Sequence, residues 1–215
     1  MEPRQTPGNL AGGAGLTLIA GLGLALRLFQ LGSDSFWCDE AGVADIAAQP
    51  TAGQALAALR HHVLAMPLDY LLSWLAARFG GGEFIQRLPA ALWGTLAIVA
   101  CFLLGRRLLP AGSRLAAGWA ALLLALSPLH IEYSQELRFY AALVFWHALA
   151  LWLFLRALDS GRRRDFALCA AAGLLGVYFH IYVALAALPM LGWALGAGRV
   201  DGDGAAPGPA RLRPA

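Results

Sequence analysis

Long apolar runs separated by short polar connections dominate the chain. Gln5 to Leu26 is uncharged for 22 residues, Leu88 to Gly105 for 18, Leu115 to Ile131 for 17 and Phe139 to Leu155 for 17. Each is about the length a membrane-spanning helix needs. Phe166 to Gly198 is uncharged for 33 residues. As one helix it would be about 50 Å long, too much for a hydrocarbon core of about 30 Å. It therefore reads as two short helices joined near His180 and Ile181, with Pro189 expected to kink the second. The pattern predicts an all-α, polytopic membrane helix bundle with about six spanning helices over residues 1–198. The Gly-, Pro- and Ala-rich stretch 199–215 lacks periodicity and reads as a flexible cytoplasmic tail or linker.

Arginine placement orients the bundle. All sixteen basic residues are arginine. Arg106, Arg107 and Arg114 fall in one connection, and Arg156, Arg162, Arg163 and Arg164 in another. Both are cytoplasmic by the positive-inside rule. The N-terminus is then cytoplasmic too, and residues 32–87 and 132–138 are external. This arrangement puts eleven arginines inside and five outside. The apolar segment Met66–Phe79, interrupted by Asp69 and Arg78, cannot span in this topology and should lie on the outer face as an interfacial helix. Gln5–Leu26 is long for a signal peptide and reads as an uncleaved helix.

Composition agrees with the pattern. The chain is 59% hydrophobic and 13% charged, against about 25% charged for soluble domains. A pI near 9.0 does not indicate nucleic acid, because the basic residues are spread between apolar segments rather than along one face. Cys38, Cys101 and Cys169 show neither disulfide nor zinc-site spacing.

Candidate chemistry gathers on the external side. The first loop carries Trp37-Cys38-Asp39-Glu40, and the second His130-Ile131-Glu132-Tyr133-Ser134-Gln135-Glu136-Leu137-Arg138-Phe139-Tyr140. His61, His62, His180 and Tyr182 are on the same side. Neighbouring helical residues face different directions, so one carboxylate of Asp39-Glu40 can face a substrate while the other orients helices. Arg87 and Arg138 are candidate cations for a phosphate. Blander readings stand beside these. Asp39 and Glu40 suit a helix start, and Arg87 an interfacial anchor. Glu136 and Arg138 could pair structurally. Arg27 is expected to snorkel to the interface, His147 to hydrogen-bond a neighbouring helix, and Trp37 and Trp193 to sit in an aromatic belt.

Six motifs, taken in order, resemble the N-terminal part of a GT-C glycosyltransferase of the dolichyl-phosphate-mannose protein mannosyltransferase type. They are Trp37-x-Asp39-Glu40, Met66-Pro67-Leu68-Asp69-Tyr70-Leu71-Leu72, Glu83-Phe84-x-x-Arg87-Leu88-Pro89-Ala90-Ala91-Leu92-Trp93-Gly94, Gly105-Arg106-Arg107-Leu108, Ser127-Pro128-x-His130-Ile131-x-Tyr133-Ser134-Gln135-Glu136-x-Arg138-x-Tyr140, and His180-x-Tyr182. The resemblance covers residues 16–198. It implies juxtamembrane helices in the first external loop. It also implies inverting transfer of a sugar from a polyprenyl-phosphate donor to a lipid, glycan or protein acceptor, at the outer face of a bacterial inner membrane. Asp39, with Glu40, would be catalytic. Arg138, Arg87, Glu136, Gln135, Tyr140, His180 and Tyr182 would bind the donor phosphate and its carrier. No cofactor is demanded, although Asp39, Glu132 and Glu136 could supply a divalent metal site. The resemblance further implies that 215 residues are the N-terminal half of a longer enzyme, inactive alone. A non-catalytic lipid-binding bundle and a transporter fragment are the alternative readings; charges collected at one face rather than at mid-bilayer disfavour the transporter.

Overall fold

The computed structural model describes residues 7–61, 66–109 and 114–200, with side chains over 13–60, 66–109 and 114–196. Arg4, His62, the His61 side chain and residues 201–215, most of the expected linker, lie outside what is described. Among the described residues the protein is all helix. Ten α-helices run α1 (Pro7–Leu28), α2 (Cys38–Ala47), α3 (Ala52–Ala58), α4 (Pro67–Ala77), α5 (Glu83–Leu108), α6 (Arg114–Leu126), α7 (Pro128–Ser134), α8 (Tyr140–Ser160), α9 (Arg163–Phe179) and α10 (Ala187–Val200). Short 3-10 turns cover Leu59–His61 and Ile181–Ala186.

α5 and α8 are each long and apolar enough to cross a membrane, and α6 with α7 qualifies as a pair bent by 60°. Apolar helices Gly13–Leu28 and Ile181–Gly196 are shorter. The sequence pattern reads Leu115–Ile131 as one spanning helix, and the structure shows it bent between α6 and α7. Pro128 has no N–H to continue α6 and starts α7 at its first position, while the Ser127 hydroxyl accepts the His130 amide as a cap. The expected break near His180 is present, because α9 ends at Phe179 and a 3-10 turn follows. Pro189 falls in the first turn of α10, where a missing N–H breaks no intrahelical bond, so it does not act as a mid-helix kink.

Small residues pack inward and large apolar ones face out. Ala91, Ala97, Ala117, Ala121, Ala125 and Ala157 are wholly buried, whereas Leu18, Leu115, Leu123 and Leu195 are highly exposed. Ala117, Ala121 and Ala125 recur every fourth residue, so they form one face of α6. That face joins Ile98 and Phe102 of α5. This is how helices associate in lipid: close contact between small residues replaces a hydrophobic driving force. α5 packs against α1, α6 and α8, and α8 against α9. Trp93, Phe145, Trp146 and Phe179 fill the α5–α8–α9 junction with ring centroids 5.1–5.7 Å apart.

Polar contacts sort to the two ends of this bundle. At the α5 C-terminal end, Arg107 pairs with Asp159, and Arg156 with buried Asp165 at 3.1 Å. At the other end, α2, α3 and α4 pack together around Ile46, Ala55 and Leu59. There the Trp74 indole donates to Gln49 O and Arg78 to Ala47 O, both at 2.9 Å. α4 also touches α5 and α9, which seats the first loop on the bundle.

Two expectations change. Arg27 does not snorkel: it is 0% exposed and donates to His130 Nδ1 at 2.7 Å, Gly23 O at 2.8 Å, Ser134 Oγ at 3.2 Å and Ala125 O at 3.3 Å. Its position in α1 faces the α6–α7 bend, whose freed carbonyls accept its protons. His147 bonds the Leu143 carbonyl of its own helix instead of a neighbour.

Gly94 of α5 makes room for the Arg27 knot. A Cβ there would lie 2.1 Å from Ser134 Oγ and 2.8 Å from Arg27 Nε. Gly94→Ala is expected to cost about 1–3 kcal/mol by overpacking, read as a lower unfolding temperature in detergent. The same change should cost less when added to Ser134→Gly, which removes the obstructing side chain.

Candidate functional site

The site begins with two consecutive acids that point in different directions. α2 starts after Trp37, with Asp39 and Glu40 in its first turn. Successive residues lie about 100° apart around a helix, so the two carboxylates part. Glu40 turns inward and is 0% exposed. Arg87 grips it with both prongs, Nε to Oε1 at 2.8 Å and Nη2 to Oε2 at 2.6 Å. The Leu137 amide adds a bond at 2.6 Å and the Trp37 amide one at 3.3 Å. The remaining Arg87 protons meet Asp34 O at 2.8 Å, Leu31 O at 3.3 Å and Ser35 O at 3.4 Å. Burial opposes the Glu40 charge, but the Arg87 hydrogen bonds and charge and the two amides outweigh it, holding the carboxyl below its ordinary range. This one bidentate pair joins α2, α5, the strand of chain before α2 and the α7–α8 connection.

Asp39 faces outward, with its side chain 46% exposed. Its carboxylate stands 3.6 Å from Arg138 Nη2, and Arg138 Nη1 donates to the Asp39 carbonyl at 3.3 Å. The Arg138 Nε is buried and has no hydrogen-bond partner among the described residues.

Arg138 lines a cavity of about 540 Å³ with Met66, Asp69 and Tyr70 at the start of α4, Phe139, Tyr140 and Leu143 at the start of α8, and Phe179, His180 and Tyr182 at the α9 end. The Phe139 ring stacks on His180 at 3.6 Å, and Tyr182 meets His180 edge-on at 4.7 Å. His180 Nδ1 accepts the Tyr182 amide at 3.3 Å. Burial, reinforced by the Arg138 charge, lowers the His180 imidazole below its ordinary range, so it is neutral at pH 7. Burial pushes the Asp69 carboxyl up to about 7 against the opposing pull of Arg138. Burial also raises the Tyr70 phenol, with Arg138 opposing and Asp69 and Asp39 adding to the rise.

A second cavity of about 540 Å³ lies on the Glu40 side, among Asp34, Ser35, Trp37, Arg87, Glu132, Gln135 and Glu136. Gln135 donates to Phe29 O at 2.7 Å and Arg27 O at 3.2 Å, tying the end of α1 to this connection. Burial and the charges of Glu40 and Glu132 raise the Glu136 carboxyl, against Arg138 and Arg87. The residues picked from sequence thus divide. Arg138, Tyr140, His180 and Tyr182 share the first cavity beside Asp39, whereas Glu40, Arg87, Glu132, Gln135 and Glu136 surround the second. No three His, Cys, Asp or Glu side chains among the described residues come together to hold a metal ion. The trio Asp39, Glu132 and Glu136 is therefore not assembled, because Asp39 turns to Arg138 while the two glutamates lie toward the other cavity.

Asp69 and Tyr70 are pocket residues absent from the sequence-based set. Their signal is an acid and a phenol opening an otherwise apolar helix. Arg27 is likewise missed as a structural centre; an arginine in an apolar helix opposite His130 and Ser134, four residues apart, is its trace.

A family model for the dolichyl-phosphate-mannose-protein mannosyltransferases matches residues 65–201 of this chain. Comparison with curated proteins finds no match, and comparison with solved structures finds none either.

Removing one partner of the Glu40–Arg87 pair strands a buried charge. Arg87→Met is expected to destabilise the protein by about 3–5 kcal/mol, and Glu40→Met with Arg87→Met to recover most of that loss, both measured by unfolding in detergent. The lowered Glu40 carboxyl also sets a pH dependence. Its contribution is complete above its ordinary value of 4.5 and is lost as pH falls through the folded value below that. In the double variant, this acid-side loss should shrink.

Proposed function

The chain belongs to the dolichyl-phosphate-mannose-protein mannosyltransferase family, membrane glycosyltransferases of the GT-C type, and from that we propose that it transfers a sugar from a polyprenyl-phosphate donor to an acceptor hydroxyl at the outer face of the membrane. The observation that carries this reading is Arg138. It stands beside the half-exposed Asp39 at a cavity, with a buried Nε–H that has no hydrogen-bond partner among the described residues. A buried guanidinium donor without a partner is costly, and a phosphate oxygen is the kind of acceptor guanidinium favours.

In the proposed reaction the acceptor oxygen attacks the anomeric carbon and Asp39 takes its proton. The bond from that carbon to the phosphate oxygen breaks, and the phosphate leaves with the electron pair. Arg138 stabilises the charge that develops on it. Attack opposite the leaving group inverts the anomeric centre. Tyr140, Phe139, His180 and Tyr182 supply an aromatic wall for the donor. Glu40 and Arg87 hold Asp39 in place rather than touching substrate, since their polar atoms are occupied by each other and by backbone groups. The acceptor is a lipid, glycan or protein hydroxyl. The arginine-rich connections support a cytoplasmic α5 C-terminal end and N-terminus, with Asp39 on the outer side. A bacterial inner membrane fits this arrangement.

A transfer assay on membranes carrying the encoded protein, run over a panel of polyprenyl-phosphate sugars, tests the reading. Asp39→Asn is expected to lower the rate by about 10²–10⁴-fold while expression and membrane insertion persist. Arg138→Ala should chiefly weaken donor use. Near-normal transfer by Asp39→Asn would overturn its assignment as the base.

A further inference from the structure

The transfer just described leaves two polar groups of the pocket, Asp69 and Tyr70, without a task. Asp69 sits in the first turn of α4 and lines the cavity with Arg138, His180 and Tyr182. An acid at a helix start is often satisfied by its own helix. The Asp69 backbone carbonyl accepts from Ser73 Oγ at 3.0 Å. Among the described residues nothing hydrogen-bonds its carboxyl. Arg138, the nearby cation, is engaged with Asp39. The upward push on the Asp69 carboxyl agrees with a group that burial penalises more than the Arg138 charge compensates.

A polar group facing a cavity under those conditions is satisfied by what fills the cavity. The remaining walls narrow the choice. Phe139, Tyr140, His180 and Tyr182 present ring faces and hydroxyl edges, and a sugar ring has matching apolar C–H faces and hydroxyl rims. We propose that Asp69 is a substrate-contacting residue that accepts a hydrogen bond from a hydroxyl of the transferred sugar, while the aromatic wall packs the sugar's apolar face. This rests on the glycosyltransferase reading and adds to it a residue that distinguishes the sugar from the lipid phosphate.

The test compares binding of four lipids to the protein in nanodiscs of neutral phospholipid at pH 7.5: bare polyprenyl phosphate and its mannosyl, glucosyl and galactosyl esters. Wild type should bind at least one sugar ester more tightly than the bare phosphate. Asp69→Leu should weaken that ester by about tenfold and leave the bare phosphate unchanged. Asp69→Asn, which keeps a carbonyl acceptor, should retain part of the gain. Equal weakening of ester and bare phosphate would show a structural or general electrostatic role and overturn the proposal. So would no weakening, or no preference of wild type for any ester. In all three cases, binding that Arg138→Ala abolishes would leave the donor reading standing. Failure of wild type to bind any of the four would overturn both. Unfolding temperature serves as the folding control, and Asp69→Leu should not lower it, because the change removes an unsatisfied acid.

Discussion

The pair between Glu40 and Arg87 is the interaction on which the α2 end of the bundle depends. Its parts come from positions 47 apart in the chain, and Leu137 joins from a further 50 residues on. α2 docks on α4 through the buried Val43, Ile46 and Ala47 of its later turns, but its first turn would otherwise be a solvated helix start. A buried carboxylate that accepts a bidentate guanidinium and two amides instead holds that turn in a single position. The arrangement is stabilising only while it is complete, since either charge alone in that setting is strongly unfavourable. Such a pair contributes more to defining one geometry than to net stability.

Asp39 inherits its place from its neighbour. With Glu40 locked inward, helical geometry directs Asp39 toward Arg138, and the backbone carbonyl of Asp39 receives a second Arg138 bond. The α7–α8 connection that carries Arg138 is itself held by the Leu137 amide on Glu40 and by Gln135 on the end of α1. A half-exposed carboxylate and a partly unsatisfied guanidinium thus stand on a scaffold braced from α1, α2 and α5. That is the kind of preorganisation an acyl- or glycosyl-transfer site needs, because the chemistry gains from groups that do not have to be moved into position. The Arg27 knot does for the α6–α7 bend what Glu40–Arg87 does for α2. In lipid, the carbonyls freed by a proline need donors, and Arg27, turned into the bundle, reaches both Leu124 O and Ala125 O.

Much of the bundle was legible in the sequence. The apolar runs marked α1, α5, α6, α8 and the α9–α10 pair, the break at His180, and Met66–Phe79 as a separate short helix. They did so because burial of apolar surface acts through composition and spacing over many residues, which local noise does not hide. The family was legible for a similar reason: six motifs in order restrict the possibilities more than any one of them. The readings that failed were about single polar side chains. Arg27 near a helix end looks like a snorkelling residue, and His147 like a hydrogen-bonder to a neighbouring helix, until the partners in the folded bundle are known.

The site shows the same division. The sequence alone determined that acids, arginines and aromatic residues collect at one end of a membrane bundle, and that Asp39 and Glu40 must face different ways, since both follow from the pattern of charges and from helical geometry. Only the tertiary structure decided which acid turns inward, that Arg87 is occupied by Glu40 while Arg138 pairs with Asp39, that Asp69 enters the pocket, and that Glu132 and Glu136 line the other cavity. Those outcomes depend on hydrogen bonds between residues tens to more than a hundred positions apart. Their geometry is set by how the helices cross, which no local pattern of hydrophobic and polar residues encodes.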